Sequence, residues 1–343
     1  MNFELRILNL EEPLKSVILL AGLGTRLRPH TYSKPKPLIQ VAGKPILGHI
    51  LDSLAGLNIE ETIFIVGYLG EQIQTYVSEH YPTMRARYVE QTEMKGQAHA
   101  INLARDYIDQ PVLIIFGDTI WETDYTRLAR VQADGLIYVK EVQDPRRFGV
   151  ATLQDGFVTK FIEKPTTPIS NLAVVGVYYF RNWQAILRSI DQLIARNIQL
   201  KGEYYLADAM QLMLNAGAKL EVETISVWED CGTREALLKT NRYLLDKHSY
   251  ARPIEGSVIL PPVYISDSAR IYHSIIGPYV SVSDDAVVEH SILRDCIISE
   301  NAHIENRTLE RSLIGKEAHV SGTFQRMNVG DSSEIDSGIP DGQ

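Results

Sequence analysis

Short apolar runs alternate with helix-period segments over the first 250 residues. Ser16–Ala21 (SVILLA), Thr62–Val66 and Val112–Phe116 (VLIIF) are nearly continuous apolar stretches, the pattern of strands covered on both faces. Ala86–Val89 predicts a shorter strand. Pro45–Gly56 carries apolar residues at 46, 47, 50, 51 and 54, which is helix spacing behind a proline suited to a first helical turn. Gly70–Ser78 and Gln97–Tyr107 predict two further helices. Strand–helix alternation of this kind implies βαβ units. Leu136–Val139, Gly149–Leu153, Val174–Phe180 and Leu220–Val227 predict later strands, and Leu206–Asn215 and Arg234–Lys247 predict helices.

The fold class expected from this pattern is α/β, with a Rossmann-like mixed, mainly parallel sheet flanked by helices over residues 1–250. After about Arg252 the rhythm changes. Val263–Ile271, Ser274–Val282, Cys296–Ile304 and Ser312–Val320 align as nine-residue segments with apolar residues at their third, seventh and ninth places. Short β-branched runs on a roughly six-residue rhythm resemble a left-handed parallel β-helix of hexapeptide repeats, expected over residues 251–325. A β-sandwich of short strands is the competing reading. Residues 326–343 form a polar tail.

Apolar residues make up 45% and charged residues 22% of the 343, the balance of a globular chain with a real core. No apolar run reaches the roughly 18 residues of a membrane span. The N-terminus, MNFELRILNLEEPLKS, lacks the basic start and apolar stretch of a secretory signal. Cys231 and Cys296 form neither a CxxC pair nor a metal spacing, so a reduced, cytoplasmic setting is expected. The formal charge of −9 and the lack of any five-residue Lys/Arg block argue against nucleic-acid and membrane partners. A site for a small anion must therefore gather positive charge locally, close to glycines.

Such a place follows the first strand: Gly22-Leu23-Gly24-Thr25-Arg26-Leu27-Arg28-Pro29. Glycines after a buried strand let the backbone turn sharply and bring its N–H groups close to an anion. The loop is not GxxxxGK[ST], and Leu27 stands where GxGxxG would need glycine. Arg26 and Lys36 add two cations, and Pro35 and Pro37 restrict the backbone on either side of Lys36. On these residues alone, a glycine turn with surface cations remains an equal reading.

The segments A-G-L-G-T-R-L-R-P at 21–29 and P-K-P-L at 35–38 resemble the signature of the sugar-1-phosphate nucleotidyltransferases. The resemblance implies a loop of Ala21, Gly22, Gly24 and Thr25 wrapped around the triphosphate of an NTP. It makes Arg26 and Lys36 the catalytic cations. The family usually opens A-A-G; here the residues are Leu20-Ala21-Gly22, and the glycines are intact.

Two aspartates sit in contexts that match the same family: Gly117-Asp118 after the run VLIIF, and Asp230 in Trp228-Glu229-Asp230-Cys231-Gly232-Thr233. Each could by itself be a helix cap. The resemblance makes them Mg²⁺ ligands, with Gly117 on the nucleotide. Cys231, where the family commonly has valine or threonine, reads as packing. Gln91 and Gly96 fall in the family pattern Q-x4-G-x-A-x-A, which occurs in members that use thymine, uracil or adenine nucleotides. An amide can donate and accept at once, so Gln91 is suited to a pyrimidine imide edge. His99 reads as structural.

Phe148-Gly149-Val150, Glu163-Lys164-Pro165 and S-N-x-A-V-x-G-x-Y at 170–178 most closely resemble the glucose-1-phosphate thymidylyltransferases. By that resemblance Gly149, Glu163, Lys164 and Val174 line a sugar-phosphate pocket. Glu203 is a further candidate for a sugar hydroxyl. The implied partners are an NTP (dTTP or UTP) and a sugar 1-phosphate, and a homo-oligomer is expected. The implied reaction is in-line attack of the sugar phosphate on the α-phosphorus, with pyrophosphate leaving. Two rivals are a silent nucleotide-sugar sensor and a bifunctional enzyme using a β-helix histidine among His273, His290, His303 and His319.

Overall fold

The computed structural model describes residues 13–167 and 169–323. The first twelve residues and the polar tail expected at 326–343 lie outside the described residues. The early apolar runs form β1 (Leu14–Leu19), β2 (Ile59–Val66), β3 (Ala86–Glu90) and β4 (Val112–Phe116). All pair in parallel, in the order β3-β2-β1-β4. β1 begins two residues before its apolar run. Lys15 belongs to it, buried with its ammonium 2.7 Å from Asp109 and 3.7 Å from Glu61. A paired, buried lysine looks like a strand boundary when only hydropathy is read.

Helices α1 (Ile46–Ser53), α2 (Gly70–His80) and α3 (Gln97–Leu103) connect these strands. Pro45 stands at the N-cap position, one residue before the first turn that the sequence pattern gives it, and its side chain makes no capping hydrogen bond. The helix expected to reach Tyr107 breaks at Ala104 into a separate 3₁₀ turn over Arg105–Tyr107.

The second half supplies β5 (Thr119–Glu122), β6 (Gly135–Glu141), β7 (Gly149–Gln154), β8 (Phe157–Glu163) and β9 (Leu172–Phe180). After these come α4 (Trp183–Ala195), α5 (Leu206–Asn215), β10 (Leu220–Thr224), β11 (Val227–Asp230) and α6 (Arg234–Lys247). The sheet runs β3-β2-β1-β4-β9-β6-β10-β8-β7, with β9 antiparallel to β4 and β6. The single strand expected over Leu220–Val227 is two. β11 leaves the large sheet and pairs antiparallel with β5, Asp230 opposite Thr119.

Consecutive residues of the central strands feed opposite faces. Ile18, Leu113 and Ile115 pack with α1, α2 and α6, while Val17, Val112 and Ile114 pack with α3, α4 and α5. Burial on both sides explains why these strands read as continuous apolar runs. Because β2 and β4 lie on opposite sides of β1, the carboxyl ends of β1 and β4 form a topological switch point, where open α/β sheets bind ligands.

Beyond α6, twelve short strands stack into three parallel four-stranded sheets, a triangular prism of four coils. Val258, Ile275, Ile292 and Thr308 are successive rungs of one sheet. The interior is a column of small and β-branched residues, including Val263, Val280, Cys296, Ala286 and Ala302. This is the β-helix that the hexapeptide rhythm predicts. One detail of the alignment fails: Val263–Ile265 stacks on Val280–Val282, so Ser274–Val282 was aligned one face out of step. The hexapeptide pattern is the same on every face, so a slip by one face leaves the apolar positions matched.

The prism lies against the α/β domain. The Asn241 side-chain oxygen, fully buried, accepts from the Ala42 N–H (2.9 Å) and the Ser281 hydroxyl (2.6 Å). Arg242 pairs with buried Asp295. Lys34 donates to both oxygens of Glu300 (2.6 and 2.8 Å), and Gln40 donates to one of them (2.9 Å). Although burial raises the Glu300 pKa, Lys34 together with a backbone N–H and Gln40 outweighs it, and the net shift is downward. Among the described residues no helix is long and apolar enough to cross a membrane.

Candidate active site

The glycine loop leaves the sheet after Leu20, whose N–H still bonds Ile65 of β2. Gly24 takes a left-handed conformation (φ 60°), and a Cβ there would lie 3.0 Å from both Lys36 Cβ and Thr31 Cγ2. The Thr31 hydroxyl donates to the Gly24 carbonyl at 3.0 Å. The two halves of the motif, 21–26 and 35–38, are thus packed against each other.

Lys36 is 8% exposed, and its ammonium lies 3.0 Å from Asp118 Oδ2. Asp118 follows β4 through Gly117, where a Cβ would come 2.1 Å from Leu20 Cδ2 and 2.9 Å from the Leu19 carbonyl. Only glycine lets the β1 and β4 ends approach so closely. The Cys231 N–H donates to the Asp118 carbonyl at 3.0 Å, which brings Asp230 alongside. Asp230 Oδ1 accepts from the Gly232 N–H at 2.8 Å. A Cβ on Gly232 would stand 2.8 Å from both that oxygen and the Arg26 guanidinium. Arg26 is exposed and has no carboxylate partner among the described residues.

Two cavities meet here. One, of about 520 Å³, is lined by Ala21, Gly22, Gly24, Thr25, Gln91, Gly96 and Gly117. The other, of about 300 Å³, is lined by Gly149, Glu163, Lys164 and Val174, and Asp230 faces it. Asp118 and Arg26 border both. Lys36 faces the first. Every residue named from the motifs is therefore gathered around one bilobed cleft. Glu203 faces the Gln91 cavity and not the one that holds Glu163.

In the smaller cavity Glu163 pairs with Lys164 at 3.2 Å, and the Lys164 ammonium lies 5.1 Å from the centre of the Tyr205 ring. Gly149 leaves room for Glu163, since a Cβ would come 2.9 Å from its Oε2. Burial raises the Glu163 pKa against the opposing pull of Lys164. For Lys164 burial acts downward, and Glu163 and Tyr205 outweigh it, so the net shift is upward. Arg147, Phe148 and Trp228 also line this cavity, and Phe148 meets Trp228 edge to face at 4.8 Å. Sequence reasoning did not single out Arg147, and it named Trp228 only as a position of the motif around Asp230. The paired arginines before Phe148-Gly149 were the available signal for the first.

Cys231 and Cys296 are fully buried. Burial pushes the Cys231 thiol up to about 12 and the Cys296 thiol up to about 11. Neither should react with a thiol–disulfide reagent at neutral pH in the native protein, and both should react in denaturant. Rapid native labelling of Cys231 would contradict its packing role.

A switch-point cleft with a glycine-rich loop, two aspartates and cations on both sides is an arrangement suited to handling phosphates. Residues 15–247 match the nucleotidyl transferase family, and the chain belongs to it. The bifunctional protein GlmU of Methanocaldococcus jannaschii is 36% identical over 234 residues, covering 68% of this chain and 54% of that protein. The chain thus spans about half the length of that relative. The UTP–glucose-1-phosphate uridylyltransferase AglF of Haloferax volcanii is 36% identical over 222 residues, covering 63% of this chain and 89% of its own. A Bacillus anthracis crystal structure described as a glucose-1-phosphate thymidylyltransferase with sucrose superposes with a TM-score of 0.60. It is 26% identical and covers 70% of this chain and 98% of its own.

Proposed function

We propose that this chain transfers a nucleotidyl group from an NTP, dTTP favoured, to a sugar 1-phosphate, glucose 1-phosphate favoured, and releases pyrophosphate. The observation that carries the reading is the junction of the two cavities at Asp118 and Arg26. A nucleotide on the glycine-loop side and a sugar phosphate on the Glu163–Lys164 side would meet there, α-phosphorus against phosphate oxygen. A sugar phosphate is already ionised at neutral pH, its second pKa being about 6. No general base is needed, and catalysis reduces to positioning and charge neutralisation.

The roles are those the family resemblance implies, and the placement of the residues around the cleft supports them. Backbone N–H groups around Gly22 and Gly24 cradle the triphosphate. Arg26 and Lys36 neutralise the departing pyrophosphate, and Lys164 holds the attacking phosphate. Glu163 accepts hydroxyl hydrogens of the sugar. Two carboxylates beside a triphosphate site match the preference of Mg²⁺ for one or two carboxylates plus phosphate oxygens. Asp118 and Asp230 would hold the ion, which when bound neutralises charge on the phosphates. Thymine is favoured through the resemblance of the 148–178 segments to thymidylyltransferases. The name of the AglF relative keeps UTP as the alternative.

A matrix of NTPs against sugar 1-phosphates, scored by pyrophosphate release, tests this. The largest kcat/KM is expected for dTTP with glucose 1-phosphate. A larger value with UTP would correct the base. Release with no pair at all would overturn the enzyme reading in favour of a nucleotide-sugar sensor.

A further inference from the structure

We infer that His99, which lies behind the cleft, is the positioning residue that fixes Gln91 with its carbonyl toward the nucleotide, and so restricts the base to one presenting an N–H at the centre of its pairing edge. The inference rests on the proposed nucleotidyl transfer and deepens it. Gln91 is 5% exposed and lines the nucleotide-side cavity. Its Nε2 lies 3.2 Å from the Gly96 carbonyl and 3.2 Å from His99 Nδ1. A carbonyl can only accept, so the amide nitrogen must be the end that faces Gly96. The second amide hydrogen then points at His99 Nδ1, which must carry a lone pair. His99 is therefore the neutral tautomer with its proton on Nε2.

Burial holds the His99 pKa below the usual imidazole range; Lys95 adds to this and Glu93 opposes it. A neutral ring at physiological pH is consistent with the acceptor role. The anchor under it is rigid. Gly96 has φ 93°, and a Cβ there would lie 2.6 Å from the Tyr204 carbonyl, so the Gly96 backbone is pressed against Tyr204. Tyr204 in turn donates from its N–H to Lys95 and accepts from Ala98, which closes the turn on both sides.

With both amide hydrogens spent inside the protein, the simultaneous donation and acceptance expected of the Gln91 amide reduces to acceptance alone, and Gln91 offers the cavity only Oε1. That atom has no hydrogen-bond partner among the described residues and is not sealed from solvent. An acceptor fixed at this point pairs with the N3–H of thymine or uracil and with the N1–H of guanine. It faces a bare lone pair on cytosine N3 and adenine N1. Leaving such a group unpaired is what gives a polar site its discrimination. The contact therefore separates thymine, uracil and guanine nucleotides from cytosine and adenine nucleotides, and does not separate thymine from uracil. His99 does not line the cavity, so it acts only through Gln91.

The test compares kcat/KM for dTTP, UTP, CTP and ATP in the wild type, His99→Leu and His99→Gln, with thermal unfolding of each. His99→Leu should lower the dTTP:ATP and dTTP:CTP ratios about tenfold, the size of one hydrogen bond. The dTTP:UTP ratio should stay unchanged. His99→Gln, whose carbonyl can accept from the Gln91 amide, should restore the ratios. An active wild type with unchanged ratios in His99→Leu overturns the inference, whereas a wild type that releases no pyrophosphate from any NTP overturns the reading beneath it. Nitrogen NMR of the wild-type histidine decides independently of any variant's folding. A proton on Nε2 supports the inference, and a proton on Nδ1 overturns it.

Discussion

Asp118→Asn should lower kcat at least about a hundredfold, the cost seen when one electrostatic group at a reacting centre is lost. The side chain keeps its shape and the backbone carbonyl still accepts the Cys231 N–H, so the fold has no reason to change. What disappears is the negative charge 3.0 Å from Lys36 at the border of both cavities. Pyrophosphate release measured across a Mg²⁺ titration checks this. The variant should need more Mg²⁺ and stay slow at saturation. Wild-type turnover at saturating Mg²⁺ would sink the assignment of Asp118 to the metal.

Lys36→Met should cost about a hundred- to a thousandfold in kcat. Methionine keeps a stem at Cβ, the atom that a Cβ on Gly24 would approach to 3.0 Å, so the close fit between the glycine and this side chain is preserved. The loss is the ammonium alone. Because Lys36 and Asp118 touch, their effects should couple. The double variant should be far less impaired than the product of the single losses. If Lys36→Met raised KM for the NTP and left kcat intact, its charge would serve binding equally in ground and transition states, and the leaving-group role would fail.

The strands legible in the sequence were those buried on both faces, because residues such as Val17 and Ile18 feed two different cores and leave no polar interruption. What hydropathy concealed was polar matter inside structure. Lys15 hid the start of β1, and the apolar–polar alternation of LEVETISV at 220–227 hid the point where β10 ends and β11 leaves the sheet. Helix α4 also went unread, although its apolar residues fall at 186, 187, 190 and 193 and Asn182 caps it by accepting the Ala185 N–H. In the cleft, the glycine-bearing loops were picked out by their resemblance to a known signature, and close backbone approach is the physical constraint behind its glycines. Gly117 is the clearest case, pressed on Leu19 and Leu20. Arg147, Trp228 and the His99–Gln91 contact were not legible, since each matters through a neighbour brought near by the fold.

The prism also works as a ruler. Its partners on the α/β domain climb it rung by rung. Asn241 meets the second coil at Tyr279 and Ser281, and Arg242, Lys34 and Gln40 meet the third at Asp295 and Glu300. Gly315 of the fourth lies beside His30, where a Cβ would be 3.2 Å from the ring. Removing one whole coil would leave a sound, shorter column, since each coil contacts only its neighbours. It would also shift the remaining rungs by about 4.8 Å against the loop that carries Arg26 and Lys36. The coil count is thus tallied against the geometry of that loop, and not against the stability of the column.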